Sequence, residues 1–141
     1  MAPRDTSTGN VLEQMVLPAL RRGGYQVSKQ VIVGTRPGGG KHKVDVVAGD
    51  GRGRGILISL KWQQTAGTTE QKVPFEVMCL KDALKAYPER YRGAYIVLGG
   101  KGWTLRDFYV GEWMSQYMRD TDSIRILDME TFIARANEGD L

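Results

Sequence analysis

Val44-Asp45-Val46-Val47, then Ala48-Gly49-Asp50-Gly51, then Ile56-Leu57-Ile58-Ser59-Leu60-Lys61-Trp62 is the stretch that decides how this chain folds. Two β-branched, apolar runs flank a glycine-rich turn, and Asp50-Gly51 is a strong hairpin signal. Side chains alternate along a strand, so Ser59, Lys61 and Gln63 share one face while Ile58, Leu60 and Trp62 share the other. The expected arrangement is one core face and one polar row. The hairpin brings Asp45 beside Lys61, a carboxylate and an amine on neighbouring strands. Asp is disfavoured inside strands, so Asp45 between two valines asks for a reason.

Working outward, helix and strand signals alternate. Val11, Leu12, Met15, Val16, Ala19 and Leu20 recur at helical spacing after a cap at Ser7 or Thr8, and Gly23-Gly24 ends that helix. Pro18 is expected to bend it. Strands are expected at Tyr25–Val33, Lys43–Ala48 and Gly55–Trp62, with a loop at Thr35–Lys41. Thr68 and Gln71 suggest a capping box, and Val73, Val77, Leu80 and Leu84 mark a helix ending near Tyr87-Pro88, with Pro74 kinking its start. Ala94–Leu98 and Ile124–Leu127 read as strands, and Leu105–Met118 and Met129–Ala136 as helices. The fold class is therefore α/β: an α-β-β-β-α-β mixed sheet flanked by helices, with a C-terminal helix-strand-helix. Residues 1–141 read as one domain, without repeats or a long linker.

A chain of 141 residues buries on the order of two-thirds of its unfolded surface. Cys79 is the only cysteine, so no internal disulfide forms, and no apolar run suits a signal peptide or membrane span. An intracellular, non-membrane protein is the simplest expectation. A net charge of +4 and a pI of about 9.3 suit a polyanionic partner.

The Asp45 strand followed by Ser59-Leu60-Lys61 resembles the PD-(D/E)XK nuclease superfamily, whose members place an Asp on one strand and an acidic-x-Lys triplet on the next. Val44 stands where the superfamily has Pro, and Ser59 where it has an acidic residue. Some restriction endonucleases of the superfamily are similar in reading Ser-x-Lys, with a Glu from the following helix supplying the displaced carboxylate. The resemblance makes Glu76 the first candidate for that role and Glu70 the second. Many members also carry a Glu on the first helix; Glu13 is its counterpart, on the border of the apolar face.

The resemblance implies a metal-dependent DNA endonuclease, restriction-endonuclease-like in fold, with Glu13, Asp45, Lys61, Glu76 and Gln63 in the catalytic site. Glu13, Asp45 and Glu76 offer hard oxygens for Mg2+ or Mn2+. Phosphodiester hydrolysis needs charge neutralised on phosphoryl oxygens and a metal-activated water, which Lys61 helps to position. Gln63 is a candidate for orienting water or phosphate. The bland alternatives are a dipole-favoured Glu13, a snorkelling Lys61 and a Glu76 that merely starts a helix.

Arg36-Pro37-Gly38-Gly39-Gly40-Lys41-His42-Lys43 is not a nucleotide-binding P-loop, because no Ser or Thr follows Lys41 and the glycine spacing fails. It reads instead as a basic arm: Arg36, Lys41 and Lys43, with Arg52 and Arg54 of the neighbouring hairpin, are the candidate DNA contacts. His42 is read as a loop residue. Trp103, Phe108, Tyr109, Trp113 and Tyr117 are expected in the core or at a dimer surface. A Holliday-junction-resolvase-like homodimer from a prokaryote or its virus is the leading expectation. A restriction-type enzyme and a silent DNA-binding module with the same fold are the alternatives.

Overall fold

A computed structural model describes residues 6–141, with the side chains of residues 6–8 outside that description. The cap expected at Ser7 or Thr8 falls among those side chains. The first helix runs as α1 (Thr6–Val11), a π-helical segment (Leu12–Val16) and α2 (Leu17–Arg22). The Leu17 N–H donates to the Leu12 carbonyl, the long π-type spacing, immediately before Pro18. Proline has no N–H to continue the ladder, and the wider turn accommodates its ring.

The sheet follows. Strands β1 (Gln26–Thr35), β2 (Lys41–Gly49) and β3 (Gly55–Trp62) form an antiparallel meander. A 3-10 turn (Thr68–Gln71) and helix α3 (Lys72–Ala86) cross over to β4 (Tyr91–Gly99), parallel to β3. Short helices α4 (Arg106–Val110) and α5 (Met114–Tyr117) lead to β5 (Ile124–Asp128), parallel to β4, and α6 (Met129–Asn137) closes the chain. Strand order is β1-β2-β3-β4-β5. The α-β-β-β-α-β order read from the sequence is the one observed.

Three local expectations change. Thr68 and Gln71 make a 3-10 turn, and the α3 N-cap, Gln71, makes no side-chain cap hydrogen bond. Pro74 sits in the first turn of α3, where a missing N–H leaves nothing unpaired. Leu105–Met118 is two short helices, because Gly111 breaks the run with extended backbone.

Helices cover both faces of the sheet. On one, Leu12, Val16, Leu17, Leu20 and Phe132 pack on Val46, Ile56, Ile58 and Leu60. On the other, Val73, Val77 and Leu80 of α3, with Tyr109 and Trp113, pack on Val44, Leu57, Ile96 and Leu98. Burying each such side chain is worth about 1.5–3 kcal/mol. β3 is thus central and buried on both faces, contrary to the single core face expected of it; only Lys61 and Trp62 at its end are partly open. Its polar row, Ser59 and Lys61, lies on the α3 side with Leu57.

Candidate active site

Asp45 sits where two strands change the face they present. Val44 belongs to the α3-side core, yet Val46 and Ala48 belong to the opposite core, although residues two apart on a regular strand share a face. The neighbouring strand turns over at the same level: Val27 packs on one side and Val31 and Val33 on the other. Gln30 lies between Lys29 and Val31, which pair with Val46 and Val44, and takes φ of 53°, a costly conformation for a residue other than glycine. The β2–β3 ladder runs from Gly49↔Gly55 to Val46↔Ile58 and stops there. Beyond that point the Leu60 N–H donates to Asp45 Oδ2 at 2.6 Å, so a side chain takes over where the sheet opens.

Helix α3 brings Glu76 to the same opening. Its Oε1 lies 3.8 Å from Lys61 Nζ and its Oε2 lies 3.2 Å from His42 Nε2. The buried Ser59 hydroxyl is turned toward the same carboxylate. Burial works against ionising Glu76, but His42, Lys61 and Ser59 outweigh it and hold its pKa below the ordinary value. Asp45 shifts the other way: burial pushes it up, the Leu60 N–H and Lys61 pull it down, and the negative Glu76 pushes it up again, leaving it raised. Two carboxylates thus share one lysine, and a cation would relieve the excess negative charge. Hard oxygens from Asp45 and Glu76 fit Mg2+ or Mn2+.

Glu70 is spent elsewhere. It is buried, with Oε2 accepting from Gln63 Nε2 (3.0 Å), the Thr104 N–H (3.0 Å) and the Thr104 hydroxyl (2.8 Å), while Oε1 accepts from the Leu105 N–H (2.6 Å). Gln63 also donates to the Gly102 carbonyl at 2.8 Å, so it is buried in this clasp and not turned to the opening. Between the two rival carboxylates, Glu76 is the one placed beside Lys61.

The structure does not gather the other expected residues there. Glu13 lies on the π segment, whose buried residues pack on the sheet face opposite α3, and it is about half exposed in an ion pair with Lys29. Arg36, Lys41 and Lys43 are exposed around the β1–β2 loop. Arg52 and Arg54 are at the far end of the hairpin, with about 13 Å of strand between Asp45 and Gly49. Their N–H groups donate to Asp50, which also pairs with Arg92. Lys101 and Arg106 instead line a groove with Trp62 and Gln64 where β3 ends.

His42 was missed by the sequence reading. It is buried on β2, which begins earlier than the expected Lys43, and it faces α3 like Val44. The signal was the alternation of His42 with Val44, obscured by lysines on both sides. Cys79, one helical turn from Glu76, is also buried; burial and the neighbouring Glu76 push its thiol up to about 11, which disfavours the thiolate.

Residues 4–139 match the family model of the PD-(D/E)XK nuclease superfamily domain. The chain belongs to the PD-(D/E)XK nuclease superfamily. Its five-stranded mixed sheet between helices is consistent with the restriction-endonuclease-like fold of that superfamily. Nucleases of the superfamily generally use divalent metals. A search of curated proteins returned no match. Among solved structures, a crystallised protein of unknown function, AF1548, is similar at 16% identity and a TM-score of 0.49. The similarity covers 80% of this chain and 54% of that one, so this chain spans about half its length. Among the described residues, no helix is long and apolar enough to cross a membrane.

Proposed function

We propose that this PD-(D/E)XK domain is a divalent-metal-dependent DNA endonuclease whose working set is Asp45, Glu76 and Lys61. The observation that carries the reading is the Glu76 carboxylate beside Lys61 and Ser59: the acidic group absent from strand β3 arrives from helix α3 instead. Asp45 and Glu76 would hold Mg2+ or Mn2+, which when bound supplies charge neutralisation and a water of lowered pKa. Lys61, partly open to solvent, orients that water and the phosphate against the carboxylates. Asp45 is kept in place by the Leu60 N–H, and Glu76 by His42. The DNA backbone is held by exposed cations on the two sides of the opening, Lys41 and Lys43 before it and Lys101 and Arg106 beyond it.

The enzyme is read as structure-selective and dimeric, of the Holliday-junction-resolvase kind. The Glu13-bearing first helix and the Val44–Gly49 run, which resemble those of archaeal-type resolvases, support this, and two symmetric sites suit the cutting of two strands. The test incubates the protein with labelled four-way junctions and linear duplex in Mg2+, Mn2+ or EDTA, beside Lys61→Ala. Symmetric, metal-dependent cuts confined to the junction, absent in the variant, are expected. Cuts at defined positions of linear duplex would replace the resolvase reading with a restriction-type one. Salt-sensitive binding without cleavage of either substrate would leave a silent DNA-binding module and overturn the enzyme.

A further inference from the structure

We propose that His42 is a positioning residue: its imidazole, as the Nε2–H tautomer, pins Oε2 of Glu76 and so leaves Oε1 for the cation beside Lys61. The inference rests on the reading of Asp45 and Glu76 as the cation site. Glu76's two oxygens have different neighbours, His42 Nε2 at 3.2 Å from Oε2 and Lys61 Nζ at 3.8 Å from Oε1. A glutamate's last torsion is broad, so an unpinned carboxylate rotates and presents either oxygen. A hydrogen bond on one oxygen removes that freedom, as the outer partners of metal-binding carboxylates generally do.

The tautomer follows from what surrounds the ring. His42 is 4% exposed, and its Nδ1 has no hydrogen-bond partner among the described residues. An N–H placed there would be a buried donor without an acceptor, at a cost of about 1–3 kcal/mol. Placed on Nε2, the same proton meets Glu76. The proton's position also decides against a rival use of the same residues. One ring nitrogen of His42, a Glu76 oxygen and the Cys79 sulfur lie within 4.8 Å of one another, a set that suits a soft cation on composition alone. A cation held by this set would have to displace the proton of a deeply buried thiol, and one on Nε2 would also force the ring proton to Nδ1, where nothing accepts it.

Three variants separate the roles of the two ring nitrogens. In His42→Gln the side-chain amide nitrogen stands as many bonds from Cβ as Nε2 does, whereas in His42→Asn it stands where Nδ1 does; His42→Ala has neither. Mn2+ binding without DNA, followed by the electron paramagnetic resonance of the free ion, is the readout, with kcat and KM for cleavage beside it. The Ala and Asn variants are expected to weaken Mn2+ binding about 10–100-fold, with KM for DNA unmoved, and the Gln variant to recover most of the loss. Melting curves confirm that each variant is folded. Equal Mn2+ binding by wild type and all three variants would remove His42's role and leave the cation site standing. No Mn2+ binding by the wild type would remove the site itself, and the inference with it. A near-ultraviolet thiolate band in the Co2+-loaded wild type, lost in Cys79→Ser, would replace positioning by direct ligation through His42 and Cys79.

Discussion

Glu70 and Glu76 are both buried carboxylates that follow the same strand, and the structure uses them in opposite ways. Glu70 is surrounded by groups that cannot leave: the backbone N–H groups of Thr104 and Leu105, the Thr104 hydroxyl and the Gln63 amide. Its own carbonyl accepts from the Tyr109 hydroxyl at 2.7 Å, so the 3-10 turn, the β4–α4 loop and α4 meet at one residue. Glycines make that meeting possible. A Cβ on Gly100, at φ of 93°, or on Gly102 would collide with the backbone of Gln63 or Thr65. Glu76 is surrounded by side chains instead: buried His42 holds one oxygen, Lys61, partly open to solvent, lies beside the other, and Ser59 and a second carboxylate, Asp45, are near. A carboxylate saturated by backbone donors is an anchor, and one with an oxygen left beside an open lysine and a second carboxylate has room for a cation. Low pKa alone does not separate the two, since both are held down against the effect of burial.

Activity gives the sharpest separation. Glu76→Gln and Lys61→Ala are each expected to lower metal-dependent cleavage by on the order of 10^3-fold, the scale of losing a transition-state contact. Glu70→Ala is expected to leave well-folded protein cutting at low temperature but to cost about 3–5 kcal/mol, because several buried donors lose their acceptor at once. Cleavage assays and urea unfolding on the same preparations measure both. Loss of cutting in a Glu70→Ala protein of unchanged stability would exchange the roles assigned here.

Acid offers the next separation. A carboxylate with a depressed folded pKa contributes stability that is fully present above its unfolded pKa and is lost as pH falls through the folded one. For Glu70 the ordinary value is 4.5, so the wild type should lose this contribution on acidification below about that pH. Glu70→Gln should be less stable at pH 7 and should lose less between pH 5 and pH 3. Parallel curves for the two proteins across that window would mean that Glu70 carries no such linkage.

Much of this was legible in the chain before any coordinates. The hairpin of β2 and β3, the helix after it and the Ser59-Leu60-Lys61 triplet follow from alternation, turn residues and the missing acidic side chain. What the sequence did not carry was the turning-over of β2. A strict period of two places Asp45 opposite Val44 and Val46 on a regular strand, whereas here both strands change face at the level of Gln30's left-handed backbone, a tertiary choice. For the same reason His42 read as loop although it is buried beside Glu76. Likeness to other members draws Glu13 to the site; in the structure its ion-pair partner is Lys29, which pairs with Val46 beside Asp45. Glu13→Ala is expected to keep cleavage within about 3-fold of wild type, as loss of a half-exposed ion pair usually does, and a larger loss would return Glu13 to the working set.

The smallest effect tests the comparison from the other side, through Asp45. Its folded pKa is raised, by burial first and by Glu76 as well, so folding works against its ionised form. At neutral pH the ionised Asp45 therefore costs stability, and that cost disappears as pH falls through the folded pKa toward the ordinary value. Asp45→Asn removes the charge and keeps an oxygen that can accept from the Leu60 N–H, so the kinked strand survives. In EDTA at pH 7 the variant is expected to melt above wild type, by the equivalent of about 0.5–2 kcal/mol, while losing its cleavage. Glu76→Gln, with a lowered parent pKa, is expected to melt below it. Adding Mg2+ should then stabilise only the wild type, by linkage to a bound ion, and narrow its gap to Asp45→Asn. If Asp45→Asn instead melts below wild type in EDTA by as much as Glu76→Gln does, Asp45 is a structural carboxylate like Glu70, and the division between anchor and site falls.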